Sequence, residues 1–562
     1  MAITIKLTEP SVIKIAIAIC YLAVLPWLAI GFWNAIIGLI LMISITRSLK
    51  LLMPQPLVRA TNCDNQAPLE FSTALLVCIR NEVPASVIKN LSIMVSGLID
   101  LNLSKHFHIY ILSDTNQVEK ITPEANAFES LKQSLQNKIQ VTYRRREQNE
   151  GFKAGNIQDF CQRWGHLHEF AITLDADSFM SGKAVVRLAR IIQADPKLGI
   201  LQGLVVALPS ASAFTRLFQF GMRLGMRSWT MGSAWWQADC GPYWGHNAIF
   251  RIKPFYEHCK LPLLKSKQNE PKHILSHDQV EAVLMRRAGY DVRVLPVEDH
   301  SFEQNPPTMP EFIQRDLRWC EGNMQYGGLI TLPGLKTVSR IQLVLAMLMF
   351  IGAPAWIGLM TLSALASLTG GEITTAINAS ALSALFFATL FMFYLPKLAS
   401  ALVILLTKKQ RTGFGGGIKF LVSFVLETIF SLLLCPVMWF SQSMFLLRLT
   451  AGQTRGWHAQ TRTDHSVPWS QAISQLWGHT LFGVTCSTVL YMTHPEVFAY
   501  AMLYMLGLIL AIPLCVISSL PCIGRWMMTL GLAQIPEEID PPLEILELDL
   551  HALKGRFNPI HP

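Results

Sequence analysis

Two carboxylates one residue apart, Asp175 and Asp177, directly follow the apolar run Ala171-Ile172-Thr173-Leu174. Carboxylates this close repel unless a cation or a shared proton offsets them. Mg2+ takes one or two carboxylates and fills its shell with water and phosphate oxygens, so the pair suits a nucleotide diphosphate. A turn or helix cap would use the same residues. Lys153-Ala154-Gly155-Asn156, after the basic Arg144-Arg145-Arg146, places a point charge on a Gly-containing turn that can approach a diphosphate. Trp235-Trp236 and His246-Asn247 have the aromatic-plus-amide composition of a sugar site, and equally that of an anchor at a membrane surface. Asp278, in Ser276-His277-Asp278, stands at the start of an amphipathic segment, where a general base and a helix N-cap look alike. Arg315 and Arg318 lie one helical turn apart with Trp319 beside them. Paired guanidinium groups suit a diphosphate leaving group and the Trp an acceptor sugar; a surface ion-pair lattice with Asp316 is the plainer alternative.

These residues need a scaffold, and the chain from 47 to 340 supplies strand and helix patterns in alternation. Apolar runs at 72–79, 108–114, 139–143 and 171–174 read as strands, with helical patterns at 85–101 and 279–287. The βαβα order predicts an α/β domain with a mostly parallel sheet and ligand loops at its carboxyl edge. Glu82, Asp114, Asp175 and Asp177 all fall on that edge, and four strand-end acids are harder to explain as turns than one.

The composition points to lipid. The chain is 51% hydrophobic and only 15% charged, where soluble domains carry about a quarter charged residues. Apolar runs occupy 15–46, 341–368, 381–406, 418–449, 473–492 and 497–520. Basic residues flank 15–46 on both sides, and likewise 418–449, so each is expected to be a hairpin, the second turning at Cys435-Pro436. The expected organisation is a transmembrane hairpin at 1–50, a cytoplasmic α/β domain with interfacial helices at 51–340, a bundle of about six helices at 341–520, and a cytoplasmic tail at 521–562. That makes about eight crossings with both termini inside. A net charge of +9 invites nucleic acid, yet the Lys and Arg residues are scattered and follow the positive-inside pattern, so no nucleic-acid partner is expected. The 11 cysteines show no paired spacing, which argues against zinc or a disulfide framework. The first apolar run is too long for a cleavable signal peptide.

Lys153-Ala154-Gly155-Asn156, Asp175-Ala176-Asp177, Asp278 and Arg318-Trp319, in this order between apolar segments, resemble the processive family 2 glycosyltransferases, which include cellulose and hyaluronan synthases. Closer wording is similar to the glucans biosynthesis glucosyltransferase H family. It comprises Trp244-Gly245-His246-Asn247-Ala248-Ile249-Phe250-Arg251, Leu275-Ser276-His277-Asp278, Met285-Arg286-Arg287-Ala288-Gly289-Tyr290 and Arg315-Asp316-Leu317-Arg318-Trp319-Cys320-Glu321-Gly322-Asn323. Arg315 stands where cellulose-type synthases have Gln, and His277 precedes Asp278, both as in the glucan family. Against that family the chain reads as shorter at both ends.

The resemblance implies a GT-A fold, UDP-glucose as donor, and a β-1,2-linked backbone of osmoregulated periplasmic glucans as product, made at the inner membrane of a Gram-negative bacterium. It implies that Asp177 holds Mg2+ (or Mn2+), that Asp175 and Asp114 contact the nucleoside, and that Glu82, Lys153 and Asn156 complete the donor pocket. Asp278 would be the base, Arg315 and Arg318 would stabilise the leaving diphosphate, and Trp319 would floor the acceptor site, with Trp235, Trp236, His246 and Asn247 near the glucan. By position, Trp457 and Arg462 would belong to a gating loop over the donor within 450–470. The lipid bilayer, the glucan acceptor and a periplasmic glucan-processing protein are the implied partners. Two other readings stay open: a membrane polysaccharide or glycolipid synthase of different linkage or acceptor, and a transporter or receptor whose soluble domain senses nucleotide.

Overall fold

A computed structural model describes residues 12–46, 67–265, 271–368, 379–454 and 464–548. The strands are β1 (Thr73–Ile79), β2 (Phe107–Ser113), β3 (Gln140–Arg145), β4 (Phe170–Asp175), β5 (Phe179–Met180), β6 (Leu198–Ala207), β7 (Ala248–Arg251), β8 (Leu264–Lys265), β9 (Pro271–Lys272) and β10 (Asp291–Glu303). Eight of them form one sheet in the order β3-β2-β1-β4-β7-β6-β10-β5, and β8 pairs with β9 apart from it. The sheet is mixed and mostly parallel: β1 runs parallel to β2 and β4, β2 to β3, and β6 to β10, while β7 and β5 run against their neighbours. The chain winds outward from β1 to β3 and then returns to lay β4 on the other side of β1. That reversal opens a crevice beyond the carboxyl ends of β1 and β4, where open α/β sheets take ligands.

The helices of this domain are α2 (Pro84–Asp100), α3 (Val118–Leu135), α4 (Phe152–Trp164), α5 (Gly182–Gln193), α6 (Ala213–Gln237), α7 (Ile252–His258), α8 (Asp278–Arg287) and α9 (Met309–Met324), after α1 (Val12–Thr46). Val87, Leu91, Phe128 and Val185 of α2, α3 and α5 cover one face of the sheet. Ile157, Phe160, Phe255 and Val280 of α4, α7 and α8 cover the other. With both faces covered, the central strands must be apolar throughout, and β1 and β2 are buried at nearly every position.

After the domain come α10 (Thr337–Leu368), α11 (Ala379–Leu406), α12 (Lys408–Gly413), α13 (Gly417–Thr450), α14 (Trp469–Thr493), α15 (Pro495–Ile509), α16 (Ala511–Ser519), α17 (Pro521–Leu530) and α18 (Pro536–Ile539). Among the described residues, four helices are long and apolar enough to cross a membrane: α1, α10, α11 and α13. Five qualify if α15 and α16, bent by 53° at their junction, count as one span.

Here the structure corrects the expected topology. Neither 15–46 nor 418–449 is a hairpin: α1 and α13 are each a single helix, with Pro26 and Pro436 inside. A proline removes one backbone bond and bends a helix, whereas a turn within an apolar run would strand several polar backbone groups. α14 is helical but not apolar enough to count as a span. The even number of crossings that placed both termini on one side therefore loses its basis. The segment after 521 is no free tail either, since α17, α18 and the residues up to 548 pack on the domain.

The amphipathic α6 joins the two parts, packing on α1, α11 and α13. Its Trp236 Nε1 donates to Asn34 Oδ1 at 2.7 Å, an amide that is 1% exposed in the middle of α1. A polar side chain in an apolar helix holds such a junction because nothing else there can satisfy it. Asn34→Ala is expected to lower stability by about 1–2 kcal/mol, read from unfolding midpoints in detergent; an unchanged midpoint would mean that the helices are held by packing alone.

Candidate functional site

At the carboxyl edge of the sheet the candidate acids meet their cations. Lys153 does not lie on a turn, as expected, but in the first turn of α4, where the helix N-terminus adds its own partial positive charge. Its Nζ bonds to the Asp175 carboxylate at the end of β4 and donates at 2.8 Å to the Gly245 carbonyl. Burial works against the ammonium charge, but Asp175 outweighs it, and the Lys153 pKa is raised. Gly245 has φ +80°, and a Cβ there would stand 3.4 Å from Asp278 Cβ. Asp278 opens α8, so one linked path runs Asp175, Lys153, Gly245, Asp278. Residues separated by about a hundred positions thus form one small cluster.

Glu303, at the end of β10, was not anticipated. His246 Nε2 lies 3.7 Å from its carboxylate. Burial raises its pKa, His246 and Arg315 draw it down, and Asp177 and Asp175 push it up again. The pairing of Phe302 with Phe179 brings Glu303 alongside the turn that carries Asp177, with His246 at its carboxylate. No sequence motif marks Glu303, because it ends a polar strand and meets Asp177 only through the sheet.

α9 carries two duties. On one turn Arg315, 8% exposed, sets its guanidinium 4.8 Å from the ring of Trp319, which is itself 48% exposed, with Arg318 partly exposed one turn from Arg315. Just past its end, the 3-10 turn Gln325–Gly328 grips the turn before Asp278. Gln325 accepts from the Leu275 N–H at 2.8 Å and donates to the His273 carbonyl at 3.2 Å, and Tyr326 Oη donates to the Ser276 carbonyl at 3.0 Å. Gly322 permits the approach, since a Cβ there would lie 2.8 Å from the Ser276 nitrogen. Beneath Asp278, the buried His277 Nδ1 meets Glu281 Oε2 at 2.8 Å. Burial disfavours charge on His277, Glu281 overrides it and raises the His pKa, while burial raises that of Glu281.

Other expected site residues are placed differently. Asn156 is 1% exposed, donating to the Leu112 carbonyl at 2.9 Å and accepting from Arg144 at 2.6 Å, so it braces the strand ends rather than facing a donor. Asn247 is fully buried and donates to Ser301 Oγ at 2.8 Å, which removes it from acceptor contact. Trp236 is committed to Asn34 and so belongs to the junction with α1, while Trp235 is 50% exposed. Both Asp114 oxygens are held by Arg146 at 2.7 and 2.6 Å, so a nucleoside would meet a pair rather than a lone carboxylate. The Glu82 carboxylate accepts from the Arg80 N–H at the end of β1. Trp457 and Arg462 lie outside the described residues.

Two outcomes follow from α9. Gly322→Val should overpack the contact with Ser276, costing about 1–3 kcal/mol and displacing the turn before Asp278; calorimetry should show nucleotide binding retained while turnover falls. On the same helix, burial lifts the Asp316 carboxyl from 3.8 to about 6, against the Gln442 amide that donates to it at 2.7 Å and the charge of Arg315. The folded chain therefore holds this proton more tightly than the unfolded chain. Its stabilising contribution is complete below about pH 4 and is lost as pH rises through about 6. Asp316→Asn should flatten that part of the stability–pH curve, measured by thermal unfolding across pH 4–7.

The chain matches two family models, Glycosyl transferase family 2 over residues 75–259 and Glycosyl transferase family group 2 over residues 170–440. It is 32% identical over 532 residues to glucans biosynthesis glucosyltransferase H of Xanthomonas campestris pv. campestris, covering 92% of this chain and 81% of that one. With the protein of the same name from Pseudomonas entomophila it shares 33% identity over 579 residues, 99% of this chain and 66% of that one. A mannosyltransferase from Pyrobaculum calidifontis, solved with GDP-Man and Mn2+, superposes with a TM-score of 0.38 at 13% identity, covering 66% of this chain and 98% of that one. The matched models span the sheet and the edge that gathers Asp175, Lys153 and Asp278, and the chain belongs to the glucans biosynthesis glucosyltransferase H family, with the GT-A-like fold of a family 2 glycosyltransferase.

Proposed function

We propose that the chain transfers glucose from UDP-glucose, with inversion, to a growing β-1,2-linked glucan of the osmoregulated periplasmic type. The observation that carries this reading is the linked path from Asp175 through Lys153 and Gly245 to Asp278, the residues read here as donor contacts and base. Asp278 takes the proton of the acceptor hydroxyl as that oxygen bonds to the anomeric carbon. The bond from that carbon to the diphosphate breaks in the same displacement, and UDP leaves with the electron pair. One base and a single displacement turn an α-linked donor into a β-linked product.

Lys153, the N-terminus of α4, Arg315 and Arg318 supply positive charge for the diphosphate. Glu82 and the Asp114–Arg146 pair border the nucleoside end, and Trp319 offers a ring face to the acceptor. Among the described residues no group of three His, Cys, Asp or Glu side chains could hold a metal alone. That fits a cation bound mainly by substrate oxygens, with Asp177 as the protein ligand beside Asp175. Mg2+ or Mn2+ bound there supplies Lewis-acid stabilisation to the departing phosphate. The apolar helices support a place in a membrane; an inner-membrane location with the catalytic domain cytoplasmic, glucan export along the bundle and a periplasmic glucan-processing partner are part of the same proposal.

Purified chain in nanodiscs with UDP-glucose and Mn2+ should yield β-1,2 glucan by linkage analysis. A polymer of another linkage, or no incorporation of glucose, would sink the reading. Asp278→Asn should lower turnover by about 10²–10⁴-fold while calorimetric UDP binding stays within a factor of about two.

A further inference from the structure

The chain beyond α17 is built into the catalytic domain at two places. First, Glu538 of α18 pairs with Arg216 of α6, a guanidinium that is 0% exposed and also donates to the Leu532 carbonyl at 3.0 Å. Glu537 holds Arg223 of α6 at 2.5 and 2.9 Å, and the same guanidinium holds Glu298 of β10 at 2.6 and 3.0 Å. Second, Ile545, 3% exposed, closes an apolar cluster with Ile93, Phe179, Val206 and Phe302. Phe179 and Phe302 face each other in the β5–β10 pair with their rings stacked 5.9 Å apart.

Those contacts fall at an irregular end of the sheet. β5 is an edge strand of two residues, bonded only to β10. The register of β10 on β6 shifts between Leu295 and Glu298 and again between Glu298 and Phe302. The ladder alone holds such an end poorly, because each shift leaves backbone groups unpaired. Arg223 anchors Glu298 at one shift, and Ile545 covers Phe302 at the other. Phe179 lies two positions after Asp177, and Phe302 immediately precedes Glu303.

We infer that residues 536–548 are a strap that sets the spacing of Asp177 and Glu303, with Ile545 and Glu537 as positioning residues for the cation–diphosphate end of the site. This rests on the function proposed above for Asp177. The strap follows α17, whose Met527 packs on Ala401, Ile404 and Phe420 of the apolar helices, so a shift of those helices against the sheet would reach the site through α18 and Ile545.

The test uses the full chain in nanodiscs with Ile545→Ala, Ile545→Leu and Glu537→Gln. Ile545→Ala should raise both the donor KM and the half-saturating Mn2+ concentration roughly tenfold, with kcat changed less than about twofold. Calorimetric UDP binding in Mn2+ should weaken by the same factor, and UDP binding without metal should not change. Ile545→Leu should restore both, and Glu537→Gln, which leaves the apolar cluster whole, should shift them in the same direction as Ile545→Ala. Hydrogen exchange over residues 177–182 should quicken in the Ala variant. A lowered unfolding temperature with unchanged KM, metal dependence and exchange would reduce the strap to a stabilising element and overturn the inference. If the wild-type chain turns over no UDP-glucose, the proposed function fails by itself, and the UDP–Mn2+ binding and exchange comparison still decides the strap.

Discussion

The partly buried ammonium of Lys153 is the contact on which the site depends. Asp114, Asp175, Asp177, Asp278 and Glu303 gather on one edge of one sheet, and that much negative charge in a partly dry crevice would push the edge apart. Three of the five have a named counter-charge in the fold. Arg146 takes Asp114 with two bonds, and His246 and Arg315 act on Glu303. Lys153 does more, because it ties the end of β4 to the carbonyl of Gly245 and so to the start of α8. A neutral side chain of the same length would leave Asp175 half-buried without its counter-charge, which is far costlier than losing an exposed pair.

A second constraint is geometric. Transfer needs the base, the leaving-group cations and the acceptor platform held at fixed distances from one another. In the proposed site α9 would meet that need by carrying Arg315, Arg318 and Trp319 on one stretch, while Gln325 and Tyr326, just past its end, hold the turn before Asp278. Its Asp316 also meets Gln442 of α13, so the helix that sets the site is fastened to an apolar helix. α6 makes a similar connection from the other side, through Trp236 to α1 and through Arg216 and Arg223 to the segment after α17. The catalytic sheet is therefore braced between helices rather than hung from a linker.

The residues that only the fold assigned to a role are mostly polar groups with several possible partners. Asn156, Asn247 and Trp236 have the chemistry of ligand contacts, and each is used up by a buried hydrogen bond to a distant strand or helix. Lys153-Ala154-Gly155 reads as a turn because of its glycine, yet it forms the start of α4. Cys435-Pro436 reads as a hairpin turn and the run 15–46 as a second hairpin, yet each helix continues unbroken through its proline.

The amino-acid sequence by itself determined the strands β1 to β4 within a residue or two, the acids at their ends, Asp278 at a helix start, the paired Arg315 and Arg318, and the family. Those features rest on local periodicity and on short motifs, which neighbouring residues suffice to specify. Only the tertiary structure decided that Glu303 comes alongside the Asp177 turn, that Gln325 and Tyr326 hold the turn before Asp278, that α1 and α13 are unbroken, and that Ile545 covers the end of the sheet. Each of these depends on burial and on partners tens to hundreds of positions away, and a linear pattern does not record which polar group will find which partner once water is excluded.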